Sequence, residues 1–180
     1  MVARTKKDIL NAYNELIKTV NMDHITVEML ADAAEVSRAT FYRYFKDKYD
    51  VMNYNYKMLL DNMASPTKCH SYIELYENLY KHGKKNWRFL QNAFNTDGVN
   101  SFCNYIAEHS KELVEQITVQ NRNGNGFTAA ENLQLDVFII GIGIMYKNWI
   151  FDKYNLTPAQ AAQALYEVMP ETLRDMWWID

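Results

Sequence analysis

The sequence predicts an all-α protein of about nine helices, with a three-helix N-terminal domain over residues 1–48 and a larger helical domain over residues 49–180. Along most of the 180 residues, apolar side chains recur every three to four positions, the period of a helix buried on one face. Helix-start signatures, in which Ser or Thr precedes Glu or Gln by three residues, occur at Ser71, Thr128 and Thr157. No segment shows the alternating pattern of a half-buried strand.

The first predicted helix covers residues 4–20. Its apolar side chains fall on one stripe, which consists of Ile9, Tyr13, Leu16, Ile17 and Val20. A loop at residues 21–24 ends it. The stripe is expected to pack over the two short helices that follow.

Residues 25–48 are typical of two short helices joined by a tight turn. Thr26 is a natural N-cap for the first helix, whose apolar face carries Val27, Leu30, Ala31 and Ala34. Glu35 and Val36 form the turn, and Ser37 caps a second helix that is predicted to end near Phe45. The small alanines allow two helices to cross closely over so short a connection.

The second of these helices presents a distinctive outward face. At about 100° per residue, Phe41 and Phe45 project together into the core. The far side then presents Ala39, Thr40, Tyr42 and Arg43. Nine residues at ~1.5 Å each span roughly 13 Å, which fits a DNA major groove about 12 Å wide. Taken alone, such a helix is also compatible with an ordinary solvated surface.

The pattern of residues 25–48 resembles the DNA-binding domain of the TetR family of bacterial transcription regulators. The matching residues are Thr26, Val27, Ala31, Val36, Ser37, the run from Thr40 to Phe45, and Lys48. The resemblance implies a helix-turn-helix that binds a palindromic double-stranded DNA operator as a homodimer. Glu35 departs from the family, which often has glycine in this turn.

The helical face and the resemblance together predict nine DNA-binding residues. Base edges are expected to be contacted by Arg38, Ala39, Thr40 and Arg43, and phosphates by Thr26, Ser37, Tyr42, Tyr44 and Lys48. The net charge of −3 argues at first against a nucleic-acid partner. Screening confines electrostatic fields to about 8–10 Å, however, and residues 36–48 carry four cations against one acid.

The most hydrophobic predicted helix runs from Thr128 to about Lys153, and another begins at Thr157. The first contains Gly141 and Gly143, each of which costs about 1 kcal/mol relative to alanine. That cost makes sense if another helix crosses closely there. We expect both helices to form a four-helix dimer interface, which is also how the family usually dimerises. Its predicted residues are Phe138, Gly141, Met145, Trp149 and Leu165.

The chain is rich in aromatic residues and methionine, with 13 Tyr, 8 Phe, 4 Trp and 9 Met. Such side chains often line cavities for small molecules, and the resemblance implies an effector cavity in the C-terminal domain. The cavity is expected between helices at residues 47–63, 71–85 and 99–120. Candidate ligand-binding residues are Met58, Trp87, Phe102, Tyr105 and Met145.

Other classes of protein find little support in the sequence. Cys69 and His70, with His82, lack a fourth ligand for a metal, and no Gly-rich loop indicates nucleotide binding. Neither a cofactor nor an enzymatic activity is expected. The apolar run at residues 137–151 is interpreted as too short to cross a membrane, and two cysteines with no signal peptide indicate a cytoplasmic protein with reduced thiols.

The sequence therefore predicts a cytoplasmic transcription regulator, acting as a repressor that responds to an unknown small molecule. A second interpretation stays open, because the net charge is negative. In that interpretation the chain is a TetR-like helical adaptor or co-activator that acts through protein–protein contacts.

Overall fold

The computed structural model describes residues 2–95, 101–174 and 176, which contain ten α-helices and no strand. The predicted all-α class is confirmed. The helices are α1 Val2–Thr19, α2 Val27–Ala33, α3 Arg38–Phe41, α4 Lys48–Met63, α5 Tyr72–Lys85, α6 Trp87–Phe94, α7 Phe102–Asn121, α8 Ala129–Ile150, α9 Pro158–Val168 and α10 Glu171–Arg174, with a 3₁₀ turn at Met22–His24. Two compact units, Met1–Met58 and Leu59–Asp180, divide within α4.

The N-terminal unit is built around side chains from each of its helices. α2 packs against both α1 and α3. The buried side chains include Ile9, Tyr13, Leu30, Phe41 and Phe45, none more than 2% exposed. Full burial of a side chain of this size stabilises a fold by about 1.5–3 kcal/mol. The predicted inward direction of Phe41 and Phe45 is confirmed.

The C-terminal unit holds a cluster of aromatic rings where α5, α6, α7 and α8 meet. Tyr80 makes edge contacts with Tyr146 and Trp149, with ring centroids 5.2 and 4.8 Å apart. Phe94 contacts Tyr146 at 5.8 Å and Phe102 at 5.1 Å. Edge-to-face pairs of this kind add about 0.5–1.5 kcal/mol beyond their burial. The cluster therefore fixes α8 against three other helices, while α9 packs extensively on α5.

Gly83 marks a close approach between α5 and α8. A Cβ atom added at Gly83 would lie 2.6 Å from the Tyr146 hydroxyl oxygen and 2.9 Å from the Ile150 Cδ1 atom. The Tyr146 hydroxyl is held in place, because it donates to the carbonyl oxygen of Leu79 at 3.3 Å. Even a methyl group at position 83 requires a neighbour to move.

We predict that Gly83→Ala lowers the free energy of unfolding by about 1–3 kcal/mol, despite the higher helix propensity of alanine, because overpacking outweighs it. Urea denaturation measures the change. Tyr146→Phe removes the nearest atom, so Gly83→Ala should cost less in a Tyr146→Phe background than in the wild type. An equal cost in both backgrounds would contradict the proposed clash.

α8 is the most apolar helix of the described residues and is only partly covered by the rest of its unit. Its 22 residues have the length and composition of a membrane span, with 22% of the most apolar window buried. The expectation that the apolar run at residues 137–151 is too short to cross a membrane considered only part of this helix. A single helix of this kind is weak evidence for a membrane protein, since core and interface helices share its composition.

Candidate nucleic-acid interface

The two short helices of the N-terminal unit are each started by a hydroxyl side chain. The Thr26 Oγ1 atom accepts a hydrogen bond from the backbone N–H of Met29 at 3.1 Å. The Ser37 Oγ atom accepts one from the backbone N–H of Thr40 at 3.1 Å, and its own hydroxyl donates to Thr40 Oγ1 at 2.9 Å. Both predicted phosphate ligands thus lie at helix N-termini, where backbone N–H groups favour anions.

The connection between α2 and α3 requires a left-handed backbone conformation. Glu35 has φ 55°, and its N–H donates to the carbonyl oxygen of Asp32 at 3.0 Å. The next N–H, that of Val36, reaches back to the carbonyl oxygen of Ala31 at 2.9 Å. A side chain in this conformation costs about 1–2 kcal/mol, which glycine avoids. The departure from the family pattern at Glu35 therefore carries a cost in stability.

We predict that Glu35→Gly raises the free energy of unfolding by about 1 kcal/mol, because it removes the strain at this position. Thermal denaturation of the purified protein measures the effect. Glu35→Gln is the matched control, since it removes the negative charge but keeps a side chain on the left-handed backbone. The explanation fails if both variants shift the unfolding midpoint equally, since that would assign the effect to charge.

α3 is shorter than the sequence indicated. Regular α-helical geometry ends at Phe41 instead of continuing to Phe45. The N–H groups of Arg43 and Tyr44 bond to carbonyl oxygens three residues back, those of Thr40 and Phe41, at 3.2 and 2.9 Å. This is the tighter 3₁₀ pattern that often closes a helix. Phe45 remains buried, so the predicted core contact persists although the helix ends early.

The outward surface of α3 and its closing turn collects the predicted base-reading residues. Arg38, Ala39, Tyr42 and Arg43 are exposed, and Thr40 is partly buried. A side-chain hydrogen bond with Tyr42 raises the pKa of the Arg38 guanidinium, with a smaller contribution from Glu28 on α2. No acid lies between Arg38 and Lys46 in the sequence. The surface therefore offers two cations, Arg38 and Arg43, beside the Tyr42 phenol.

Lys48 has a structural role in addition to the predicted phosphate contact. Its ammonium group donates to the carbonyl oxygens of Met22 and Asp23, both at 2.9 Å. These carbonyls belong to the 3₁₀ turn that precedes α2, so Lys48 ties the start of α4 to that turn. An ammonium has three donors, and two are used by the carbonyls. Tyr44, another predicted phosphate ligand, is partly buried.

The five predicted ligand-binding residues differ in burial and are divided between the two units. Phe102 is fully buried in the aromatic cluster, and Tyr105 is partly buried on the same helix. Met58, Trp87 and Met145 are 48, 45 and 40% exposed. Met58 belongs to the N-terminal unit, whereas the others belong to the C-terminal unit. The predicted start of the third cavity helix, Val99, lies outside the described residues.

The predicted dimer residues divide between the interior and the surface of the C-terminal unit. Phe138 and Leu165 are 7 and 6% exposed, and Trp149 contacts Tyr80 in the aromatic cluster. Gly141 and Met145 lie on the outer part of α8, and a Cβ added at Gly141 would meet nothing within 4 Å. These two are the members of the set that a second chain could reach.

A stripe of exposed apolar side chains on α8 was missed from the sequence. It consists of Leu133, Val137, Ile140 and Ile144, which are 66, 66, 59 and 52% exposed. Their spacing of three and four residues places them on one face of the helix. Because α8 is apolar on nearly all sides, periodicity alone could not separate this stripe from the buried one. The stripe could have been inferred from the sequence because α8 contains more apolar residues than one buried helix face requires.

Two family profiles match most of the chain. The profile described as "Bacterial regulatory proteins, tetR family" matches residues 9–54. The profile described as "Transcriptional regulator C-terminal region" matches residues 70–171, more than half of the chain. The chain belongs to the TetR family. As a member of this family it is a DNA-binding transcription regulator and not an enzyme.

Solved structures with a similar fold are also regulators. "Dihydroxyacetone kinase operon activator DhaS" has a TM-score of 0.61 and 14% identity, covering 96% of this chain and 98% of its own. Thermus thermophilus FadR, a TetR-family repressor solved with lauroyl-CoA, has a TM-score of 0.62 and 16% identity, with 93% and 94% covered. FadR from Bacillus halodurans has a TM-score of 0.51 and 15% identity, with 94% and 96% covered. At identities of 14–16%, the similarity between this TetR-family chain and the three solved structures shows that they share a fold. No curated protein matches its sequence.

Among the described residues of this family member, no group of three or more His, Cys, Asp and Glu side chains is placed to hold a metal ion. His82, considered with Cys69 and His70 in the sequence, lies within hydrogen-bond distance of the Asn86 amide instead, at 3.2 Å. Burial lowers the pKa of its imidazole, assisted by Lys85.

Proposed function

We propose that the protein is a cytoplasmic repressor that binds a palindromic operator as a homodimer and releases it when a small molecule binds. The observation that carries this proposal is the exposed surface of Arg38, Ala39, Tyr42 and Arg43. It combines cations and hydroxyl donors on one short helix and its closing turn, in a unit whose family binds DNA. Arginine in a major groove forms bidentate hydrogen bonds to guanine.

The roles of the interface residues follow from their positions. Arg38, Ala39, Thr40 and Arg43 are assigned to base edges, and Tyr42 and Tyr44 to phosphates. Thr26 and Ser37 offer the N-termini of α2 and α3 to phosphates. Lys48 is assigned a phosphate contact through its remaining donor, with the additional task of holding the 3₁₀ turn before α2.

The exposed stripe on α8 supports the homodimer. Four large apolar side chains in one line form a contiguous surface of the kind that marks protein interfaces. Gly141 beside the stripe would let a second helix approach. α9 adds Val168, which is 68% exposed. In a two-fold dimer engaged on DNA, the two copies of α3 should lie one DNA turn apart, about 34–36 Å, or a multiple of it.

The small-molecule response rests on the C-terminal unit. The Thermus relative in the comparison was solved with lauroyl-CoA, but an identity of 16% is too low to transfer a ligand. We assign the effector to the unit from Leu59 onward, whose aromatic side chains are numerous. The identity of the effector is left to experiment.

A second candidate function is a helical adaptor or co-activator that acts through protein–protein contacts. The net charge of −3 favours it, because weak overall basicity lowers non-specific DNA affinity. A similar fold occurs in a protein titled an operon activator.

A gel-shift experiment on DNA from upstream of the protein's own gene separates the two candidates. A repressor should shift this DNA at nanomolar concentration. Its affinity should fall by about tenfold or more between 50 and 200 mM salt, because each of the two Lys48 side chains of a dimer is assigned to a phosphate. An unrelated DNA fragment of equal length is the control. Equal and salt-insensitive binding to both fragments, or no shift of either, would favour the adaptor.

A further inference from the structure

A half-open groove of about 390 Å³ lies within the C-terminal unit. It is bounded by the end of α5, the start of α6, the end of α8 and the loop that follows α8. Its walls include Lys84, Trp87, Trp149, Asp152, Tyr154 and Leu156. Pockets that bind small molecules typically measure about 300–1,000 Å³, so the groove is large enough for a molecule of one or two fused rings.

Two hydrogen bonds between different structural elements hold the walls of this groove in place. The Trp149 indole N–H donates to the carbonyl oxygen of Leu156 at 2.9 Å, which fixes the loop over the end of α8. The Gln91 side-chain amide donates to the carbonyl oxygen of Ile150 at 3.0 Å, which joins α6 to α8. Trp149 also makes an edge-to-face contact with Tyr80, with ring centroids 4.8 Å apart. The groove is therefore formed before any ligand arrives.

The lining of the groove favours a flat aromatic ligand. Trp87, Trp149 and Tyr154 contribute three aromatic side chains to one space of this volume. Trp87 is 45% exposed, so its ring surface is accessible to a ligand. Stacked and edge-to-face contacts with aromatic rings are the interactions that such walls offer.

The charges around the groove favour a single negative charge on the ligand. Lys84 lines it, and the Arg88 guanidinium lies 5.2 Å from the Trp87 ring centroid. Asp152 is the one acidic side chain of the lining. Within the lining the charges of Lys84 and Asp152 balance, and Arg88, which contacts Trp87 from outside the lining, adds a second cation nearby. A monoanion is therefore favoured over a cationic molecule of the same shape.

The exposed stripe on α8 points away from this groove. With 3.6 residues per turn, Trp149 lies about 140° around α8 from Ile144, the last member of the exposed stripe. Ile150 lies about 120° away in the other direction. The stripe and the groove therefore use different faces of the same helix.

We propose that this groove binds a small aromatic carboxylate, with its ring against Trp87 and Trp149 and its carboxylate at Lys84. This site goes beyond the proposed function, and it is tested by binding to the protein alone, in the absence of DNA. Lys84 acts as the anion ligand. Asp152, on the loop, disfavours dianions.

Calorimetric titration of the full-length protein with naphthalene-2-carboxylate tests the assignment. The neutral carboxamide and the cationic naphthylmethylammonium ion of the same shape are the comparison probes. We expect the carboxylate to bind about tenfold more tightly than the carboxamide, because a charge-assisted hydrogen bond is lost in the latter. The ammonium probe should bind most weakly.

Variants locate the site. Lys84→Gln should weaken carboxylate binding about tenfold and leave carboxamide binding unchanged, whereas Lys85→Gln, an exposed neighbour outside the lining, should change neither. Asp152→Asn should strengthen carboxylate binding, and asparagine tolerates the left-handed backbone at this position, where φ is 58°. Trp87→Ala should weaken the binding of all three probes.

Nuclear magnetic resonance provides a readout that does not depend on affinity alone. The indole N–H signals of Trp87 and Trp149, assigned through Trp87→Phe and Trp149→Phe variants, should shift on addition of the carboxylate. The proposal is overturned if no probe binds at millimolar concentration, or if both signals stay in place while a probe binds. The assignment of an anionic ligand would be overturned if the carboxylate and the carboxamide bind with equal affinity and Lys84→Gln changes neither affinity.

Discussion

Arg43→Ala is expected to weaken operator binding by about 1–3 kcal/mol per half-site, or roughly 5- to 150-fold. Arg43 is exposed in the 3₁₀ turn that closes α3, and its backbone is fixed there by the hydrogen bond to Thr40. Its guanidinium can therefore enter the groove from a backbone that needs no rearrangement. Two copies act in a homodimer, so the loss on a full palindrome should approach twice the half-site value.

Gel-shift titration on the operator, and on variants with single base pairs changed, measures this effect. Besides losing affinity, Arg43→Ala should become indifferent to the base pair that Arg43 reads. Lys18→Ala is the matched control, because Lys18 is an exposed cation at the end of α1 and pairs with Glu15 at 2.6 Å. Undiminished operator binding by the Tyr42→Ala/Arg43→Ala double variant would remove this surface from the DNA interface.

Ile140→Glu is expected to convert the protein to a monomer. Ile140 lies in the middle of the α8 stripe and is 59% exposed in the single chain. In a two-fold dimer both copies would bury an unpaired carboxylate, and each costs about 3–5 kcal/mol. The dimer dissociation constant should therefore rise by more than about a hundredfold, and operator affinity should fall with it, because each monomer can grip only one half-site.

Analytical ultracentrifugation at micromolar concentration is the measurement. Gln116→Glu introduces the same charge at an exposed position on α7, outside the proposed interface, and is the control that should stay dimeric. Circular dichroism shows whether the Ile140→Glu chain is still helical. A monomeric wild type would contradict the proposed interface directly, as would an Ile140→Glu protein that remains a dimer.

The helical class and most helix starts were predictable because they depend on local chemistry. Thr26, Ser37, Ser71, Thr128 and Thr157 all accept a hydrogen bond from a backbone N–H three residues later. Such caps need only residues that are close in the sequence. The inward positions Ile9, Tyr13 and Phe41 also followed from the period. The remaining members of the predicted α1 stripe are only partly buried: Leu16, Ile17 and Val20.

Features that depend on distant partners were not predictable. Lys48 was interpreted by its charge alone, since its bonds to Met22 and Asp23 join residues about 25 positions apart. Phe138 was assigned to a dimer interface because α8 is apolar throughout, and only packing reveals that Val137 is exposed while Phe138 is buried. The early end of α3 was hidden as well, because no glycine or proline marks it.

The shortness of α3 makes recognition a property of the whole N-terminal unit. Four residues of helix form only about one turn, and an isolated turn is unstable in water because nucleation is unfavourable. α3 therefore holds its shape only while Phe41 and Phe45, at 0 and 2% exposure, remain packed. A chain that loses this core on warming loses the proposed DNA-reading surface at the same temperature. A weakened core would give a regulator whose activity depends on temperature, without any change to a residue that meets DNA.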